Sequence, residues 1–287
     1  MDDELAISVR GLVRSYGDFR AVDGVDLDVR RGEIFALLGP NGAGKTTTVE
    51  ILEGYRHRDE GTVSVLGHDP AAPTRAWRAR LGIVLQGNGD LQQLTVTEIV
   101  HHFASFYANP RNPEEVIDAV GLADKRASRT ANLSGGQRRR VDVALGILGR
   151  PELIFMDEPT TGFDPQARRQ FWDLIDSLRA EGTTILLTTH YLDEAEHLAD
   201  RVAVIAAGRI LEVATPETLG GRAEAEARVS WLEDGAPRTV DTEEPTKLVA
   251  ELAARYGGEI PGLTVSRPSL EDTYLTMIRP FHGEEAS

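Results

Sequence analysis

The sequence predicts an α/β fold: a mostly parallel, buried sheet flanked by helices, with an antiparallel edge subdomain, a helical subdomain and a small C-terminal α+β domain. Three observations predict it. Apolar runs at 34–38, 153–156, 184–187 and 202–205 recur along the chain, the last three separated by amphipathic helical stretches, the pattern of strands covered on both faces. The first run leads into Gly39-Pro40-Asn41-Gly42-Ala43-Gly44-Lys45-Thr46-Thr47, a glycine-rich turn that opens a helix. After about Thr215 the character changes, with Pro216, the Gly220-Gly221 pair and a Glu/Ala-rich stretch.

Residues 5–29 alternate apolar and polar (Ile7, Val9, then Val25, Leu27, Val29), which predicts antiparallel strands at a sheet edge. The glycine-rich turn and its helix follow, and 61–67 reads as another strand. From about Arg75 to Arg150 the reading is mostly helical, with a short strand at 82–85. Thr95 with Glu98 and Asn112 with Pro113 mark helix starts. The C-terminal stretch holds strand-like runs at 227–232 and 263–265 and a helix over about 246–256. A second helix is capped by Ser269 and Asp272. The domain division expected is 1–218, with its helical subdomain at about 88–150, and 219–287.

At 41% hydrophobic and 27% charged over 287 residues, the chain has an ordinary globular composition. No stretch approaches the roughly 18 uninterrupted apolar residues of a membrane span. The Met-Asp-Asp-Glu start is acidic where a signal peptide is basic. With no cysteine there are no disulfides or thiolate metal sites. A cytoplasmic setting is expected from these features. The formal charge of −15 argues against a broad nucleic-acid surface. The run Arg138-Arg139-Arg140 is too short for a binding tail and reads as a solvated helix face.

The 39–47 segment fits the phosphate-binding P-loop, so a P-loop NTPase core that binds a nucleoside triphosphate is expected. Gly39, Asn41, Gly42, Ala43 and Gly44 present backbone N–H groups, and glycine keeps side chains out of their way. Lys45 reaches the β- and γ-phosphates, the Thr46 hydroxyl ligates Mg²⁺, and Thr47 continues the helix whose positive end faces the anion. Leu153-Ile154-Phe155-Met156 ends in Asp157 and Glu158, where open α/β sheets place their ligands. Adjacent strand side chains point oppositely, so different roles are expected. Asp157 suits the Mg²⁺ shell through water, and Glu158 suits polarisation of the attacking water. Ser134-Gly135-Gly136-Gln137 opens a helix and is a second anion site, although an isolated turn of this kind is also an ordinary capped start.

These segments, in this order, resemble the ATP-binding subunit of an ABC transporter over about residues 5–215, and the 133–137 segment is the part specific to that family. The resemblance implies further roles. Tyr16 matches the aromatic that stacks on adenine. Gln86 matches the glutamine that senses Mg²⁺ and the attacking water. Asp164 matches the loop that crosses to a partner subunit, with Phe163 where the family usually has leucine. His190 matches the histidine that holds the γ-phosphate. The family works as a head-to-tail dimer, so ATP held by Lys45, Thr46 and Asp157 of one subunit is closed over by Ser134 and Gly136 of the other. A complete motif set in one chain favours a homodimer.

The family places its permease in a separate membrane polypeptide and seats a cytoplasmic helix of it near Gln86 and the 87–93 loop. That implies a peripheral position on the cytoplasmic face of the membrane. The closest likeness is to the daunorubicin/doxorubicin-resistance drug exporter ATPases, a branch exporting drugs, lipids or polysaccharides and carrying a C-terminal domain of this size. That domain serves either dimer stability or regulation. An importer ATPase is an alternative. DNA- or ribosome-associated ATPases fit less well, because the interval between Lys45 and Ser134 carries no heptads and one core is present instead of two.

Overall fold

The computed structural model describes residues 4–84 and 93–281. Gln86 and most of the 87–93 loop lie outside the described residues. The chain divides into two compact units at Val213/Ala214, where the sequence reading put the division at 218/219.

In the first unit, β1 (Leu5–Tyr16) and β2 (Phe19–Arg30) form a long antiparallel hairpin, its register broken near Gly11 and Gly24, both in left-handed conformation. β3 (Ile34–Leu38) then crosses the core and is buried along its whole length. The P-loop leads from it into α1 (Lys45–Leu52), and β4 (Glu60–Val65) returns to pair with β1. The short α2 (Arg75–Arg78) precedes β5 (Leu81–Val84). Three helices follow: α3 (Val96–Ala104), α4 (Pro113–Ala119) and α5 (Gly135–Ile147). α3 starts with a full capping box between Thr95 and Glu98, and α4 with Asn112 as cap and Pro113 at its first position, as their sequences predict.

The rest of this unit alternates: β6 (Leu153–Asp157), α6 (Pro165–Ala180), β7 (Thr184–Thr188), α7 (Leu192–Leu198), β8 (Arg201–Ala206) and β9 (Arg209–Ala214). The six-stranded sheet runs β5-β6-β7-β3-β8-β9, and its first five strands pair in parallel. β9 is an addition to the sequence reading. It follows a two-residue turn, Ala207-Gly208, with positive φ at both positions, the twist that suits a hairpin.

The three-stranded sheet β2-β1-β4 packs on one face of the large sheet. Ile7, Val9, Val25 and Leu27 from the first meet Phe35, Leu37, Phe155 and Leu186 from the second, with Val49 and Leu52 of α1 in the same cluster. Arg201 fastens the joint: its guanidinium donates to Glu33 at 2.7 Å and to the Asp28 carbonyl at 2.7 Å, and covers the Phe35 ring.

The second unit holds β10 (Ala227–Glu233), β11 (Ala236–Thr242), α8 (Pro245–Tyr256), β12 (Thr264–Ser266) and α9 (Leu270–Ile278). Its sheet order is β11-β10-β12, all antiparallel. Val229 and Trp231 of β10 bury against Leu252 of α8 and Ile260. α9 opens with the Ser269–Asp272 capping box.

Trp77 anchors the first unit's core beneath the P-loop helix. It is 1% exposed and its indole N–H donates to the Val65 carbonyl at 2.9 Å. Trp77→Ala removes a large buried ring and a donor to that carbonyl, leaving it the His68 N–H at 3.1 Å. We expect a loss of about 3–5 kcal/mol, read as a lower denaturant midpoint at unchanged slope; an unmoved midpoint would contradict this packing.

Candidate functional site

The P-loop is shaped by close backbone approaches. A Cβ on Gly39 would lie 2.3 Å from the Ile205 carbonyl oxygen, and one on Gly44 would lie 2.4 Å from that of Ala21. Gly44 also has φ 101°, a conformation open mainly to glycine. The loop therefore sits between β8 and β2 with no room for side chains at these points. Its concave side encloses the Lys45 ammonium, which donates to the carbonyls of Gly39 (2.6 Å) and Pro40 (2.9 Å). Burial pushes the Lys45 pKa down, opposed by the charges of Glu158 and Asp157.

The carboxylates stand at the end of β6, two strands from the P-loop strand. The Thr188 hydroxyl donates to the Asp157 carboxylate, and the Arg139 guanidinium donates to the Asp157 backbone carbonyl. Glu158 has left the strand: its φ is +47°, and its N–H donates to the Thr188 carbonyl at 3.0 Å. The strand alternation expected for Asp157 and Glu158 thus fails, because the backbone turns between them. The His190 Nδ1 lies 3.1 Å from Glu158 Oε1.

One open cleft of about 800 Å³ is lined by Tyr16, Asn41, Gly42, Ala43, Gly44, Lys45, Thr46, Thr47, Asp157, Glu158 and His190, together with Phe19, Ala21 and Pro40. Gly39 stands behind the loop, against Ile205. Tyr16 is 39% exposed, so it is not a core aromatic, and the Arg14 and Arg56 guanidinium groups lie within 5.0 and 5.8 Å of its ring centre. A flat ring at the mouth and N–H donors with an ammonium at the base match the two ends of a purine nucleotide.

Ser134, Gly135, Gly136, Gln137 and Asp164 are not among the described residues lining this cleft. Ser134 and Gln137 form a capping box at the start of α5, and Asp164 caps α6 through the Ala167 N–H at 2.8 Å. The two segments meet: a Cβ on Gly136 would lie 2.9 Å from the Gly162 carbonyl oxygen, close to Phe163.

The run 138–140 is only partly a solvated face: Arg138 is exposed, Arg140 half-buried and Arg139 buried. Arg138 donates to the Leu133 carbonyl at 2.8 Å, and Arg140 donates to the Gly121 carbonyl at 3.2 Å and lies over the Phe163 ring. Arg139 is 7% exposed and reaches under the β6 end. Arg139 stands five positions after the Ser134 cap, and only helix phase separates it from its neighbours, which charge counting misses. Thr188, just past the strand expected at 184–187, likewise carries no sequence sign of its role.

A second cavity, of about 640 Å³, opens on the far side of Thr46 and Asp157 and is lined by Glu50, Glu53, Tyr55, Arg78 and Ile83 among others. Glu50 is paired with Arg56. The Glu53 carboxyl is pushed up to about 8 by burial, reinforced by the charges of Glu50 and Asp157.

A phosphate cradle, a hydroxyl and two carboxylates at the carboxyl ends of parallel strands of one sheet define a P-loop nucleoside triphosphatase. A family model described as ABC transporter matches residues 22–161. The daunorubicin/doxorubicin resistance ATP-binding protein DrrA of Streptomyces peucetius is 38% identical, across 95% of this chain and 92% of its own length. The Nod factor export ATP-binding protein I of Ralstonia nicotianae is 41% identical, across 74% of this chain and 68% of that protein. A solved ATP-binding subunit of an ABC transporter superposes with a TM-score of 0.68 at 27% identity, covering 75% of this chain and 91% of that one. The chain belongs to the ATP-binding subunits of ABC transporters and is an ATPase.

The Glu53 environment sets a pH dependence. Its carboxyl titrates near 8 when folded against an ordinary value of 4.5. Between those values the folded chain holds a proton that the unfolded chain releases, so stability declines as pH rises through this window. We expect Glu53→Gln to raise the melting temperature above about pH 8, by an amount equivalent to a few kcal/mol at most, and to leave it nearly unchanged near pH 5. Parallel wild-type and variant curves across pH would refute this reading.

Proposed function

We propose that this chain is the ATP-hydrolysing subunit of an exporter that moves a drug, lipid or polysaccharide through a separate membrane permease. One observation carries the proposal: a single cleft gathers Tyr16, the P-loop, Asp157, Glu158 and His190, while the Ser134–Gln137 segment stands outside it. Lys45 and the loop N–H groups bind the β- and γ-phosphates. Glu158 orients the attacking water and takes its proton, and His190 holds the γ-phosphate beside it. Gln86 is assigned to sensing at the same site on family pattern alone.

Thr46 and Asp157 supply hard oxygen donors in the cleft, the donor type and number that suit Mg²⁺ when phosphate oxygens and water complete the shell. When bound, Mg²⁺ neutralises charge on the phosphates. Because Ser134, Gly135, Gly136, Gln137 and Asp164 do not line their own cleft, we assign them to the nucleotide of a second copy in a head-to-tail homodimer.

Among the described residues no helix is long and apolar enough to cross a membrane. The permease is therefore assigned to another polypeptide, and this chain to the cytoplasmic face of the membrane through it. The similarity to DrrA covers 95% of the chain and so runs into the second unit, which supports the drug-exporter branch. We assign 219–287, with the adjoining 214–218, to an accessory domain.

Glu158→Gln should lower ATP turnover by about 10²-fold or more while ATP still binds. With Mg·ATP it should elute from a sizing column as a dimer, and Lys45→Ala should not. The same Glu158→Gln variant, purified with ATP from gently solubilised native membranes, should bring a multi-span membrane protein with it. Full turnover in either variant would overturn the catalytic assignment, and recovery of nucleic acid or ribosomes in place of a membrane protein would overturn transport.

A further inference from the structure

Glu194 of α7 is fully buried, yet neither of its carboxylate oxygens has a well-formed hydrogen-bond partner. The groups beside it are the hydroxyls of Thr160 and Thr189. Thr160 is itself 1% exposed, and its hydroxyl also lacks a well-aligned partner. Thr189 is equally buried; its oxygen accepts the Tyr191 N–H at 3.0 Å, and its hydroxyl makes only a long contact, 3.4 Å, to the Tyr191 carbonyl. The charges felt around Glu194 are the Arg168 and Arg139 guanidinium groups and the Asp193 carboxylate.

These two threonines sit in the two segments that carry the reacting groups. Thr160 lies two residues after Glu158, in the turn where the Thr161 N–H reaches the Glu158 carbonyl and the Phe163 N–H reaches the Thr160 carbonyl at 3.0 Å. Thr189 directly precedes His190. Glu158 occupies a left-handed conformation that a non-glycine residue keeps only when its surroundings hold it. Above, the Thr188 carbonyl holds the Glu158 amide; below, the Glu194 carboxylate abuts the turn that Glu158 begins. A buried carboxylate without partners is costly; the Thr160 hydroxyl, and the Thr189 hydroxyl once turned from its long Tyr191 contact, are donors beside it that can relieve it.

We propose that Glu194 is a positioning residue: by accepting from the Thr160 and Thr189 hydroxyls it fixes the placement of Glu158 relative to His190. The proposal rests on the reading of Glu158 and His190 as the hydrolytic pair. A residue with this role affects turnover rather than nucleotide affinity, because the P-loop holds the nucleotide independently.

The test is steady-state ATP hydrolysis by the full chain bearing Glu194→Gln, Thr160→Val, both together, or Thr160→Ser. Glu194→Gln and Thr160→Val should each lower kcat about tenfold or more while KM for ATP stays within about twofold. The double variant should be no worse than the poorer single one, since both break one link. Thr160→Ser, which keeps the hydroxyl, should retain turnover. If Glu194→Gln fails to fold, Thr160→Val and Thr160→Ser carry the same comparison. Wild-type kcat in Thr160→Val, additive losses, or a loss confined to KM would overturn the proposal. Glu158→Gln is the control: turnover there would sink the underlying catalytic reading instead.

Discussion

The turn that leaves β3 has no freedom to move sideways, because the Ile205 and Ala21 carbonyl oxygens stand where side chains would otherwise be. That constraint fixes the cradle to β8 on one side and β2 on the other. Strand order does the rest. β3 pairs with β7, and β7 with β6, so Leu37, Thr188 and Asp157 stand opposite one another in register. At about 4.8 Å per strand, the P-loop and the acidic strand end lie two spacings apart, with the His190 segment emerging between them. Neighbouring strands thus set the separation of cradle, histidine and carboxylates before any side chain is chosen.

What the amino-acid order discloses follows from which physical signals are local. A strand buried on both faces must be apolar at each position, so 34–38 and 153–156 are legible without context. Caps are legible too, because Thr95 with Glu98 or Ser269 with Asp272 close their hydrogen bonds within four residues. β11 escapes because its residues are almost all exposed and carry no alternation. The signal that was available lies in the connection: Asp234-Gly235 has positive φ at both residues, the dipeptide a tight hairpin favours. β9 escapes in the same way behind Ala207-Gly208. Pro237 also argues against a strand, although it is tolerated here because β11 is an edge.

In the site, motif spacing discloses which residues carry chemistry but not how the backbone presents them. Asp157 and Glu158 read as neighbours on a strand, pointing apart. The left-handed turn at Glu158 is held by Thr188, a residue of another strand thirty positions away, and nothing near Glu158 announces it. Arg139 is a similar case. One of three consecutive arginines dives under β6 because the helix phase points it there, whereas composition makes all three equivalent. Long-range partners decide burial, and burial decides which charge matters.

Electrostatics of the cleft sharpen this point. The chain carries a formal charge of −15, which repels a polyanion at a distance. At physiological ionic strength such repulsion is damped beyond about 8 Å, so the groups within the cleft control binding. There Lys45 is destabilised as a cation by burial and stabilised by Glu158 and Asp157. Those same carboxylates oppose phosphate. An incoming anion must therefore overcome their repulsion and draw the ammonium from the Gly39 and Pro40 carbonyls, and loop N–H groups, which carry no counter-charge, tip the balance. This is why glycine at the cradle matters beyond its shape: it leaves fixed dipoles exposed where the nearby carboxylates oppose an anion.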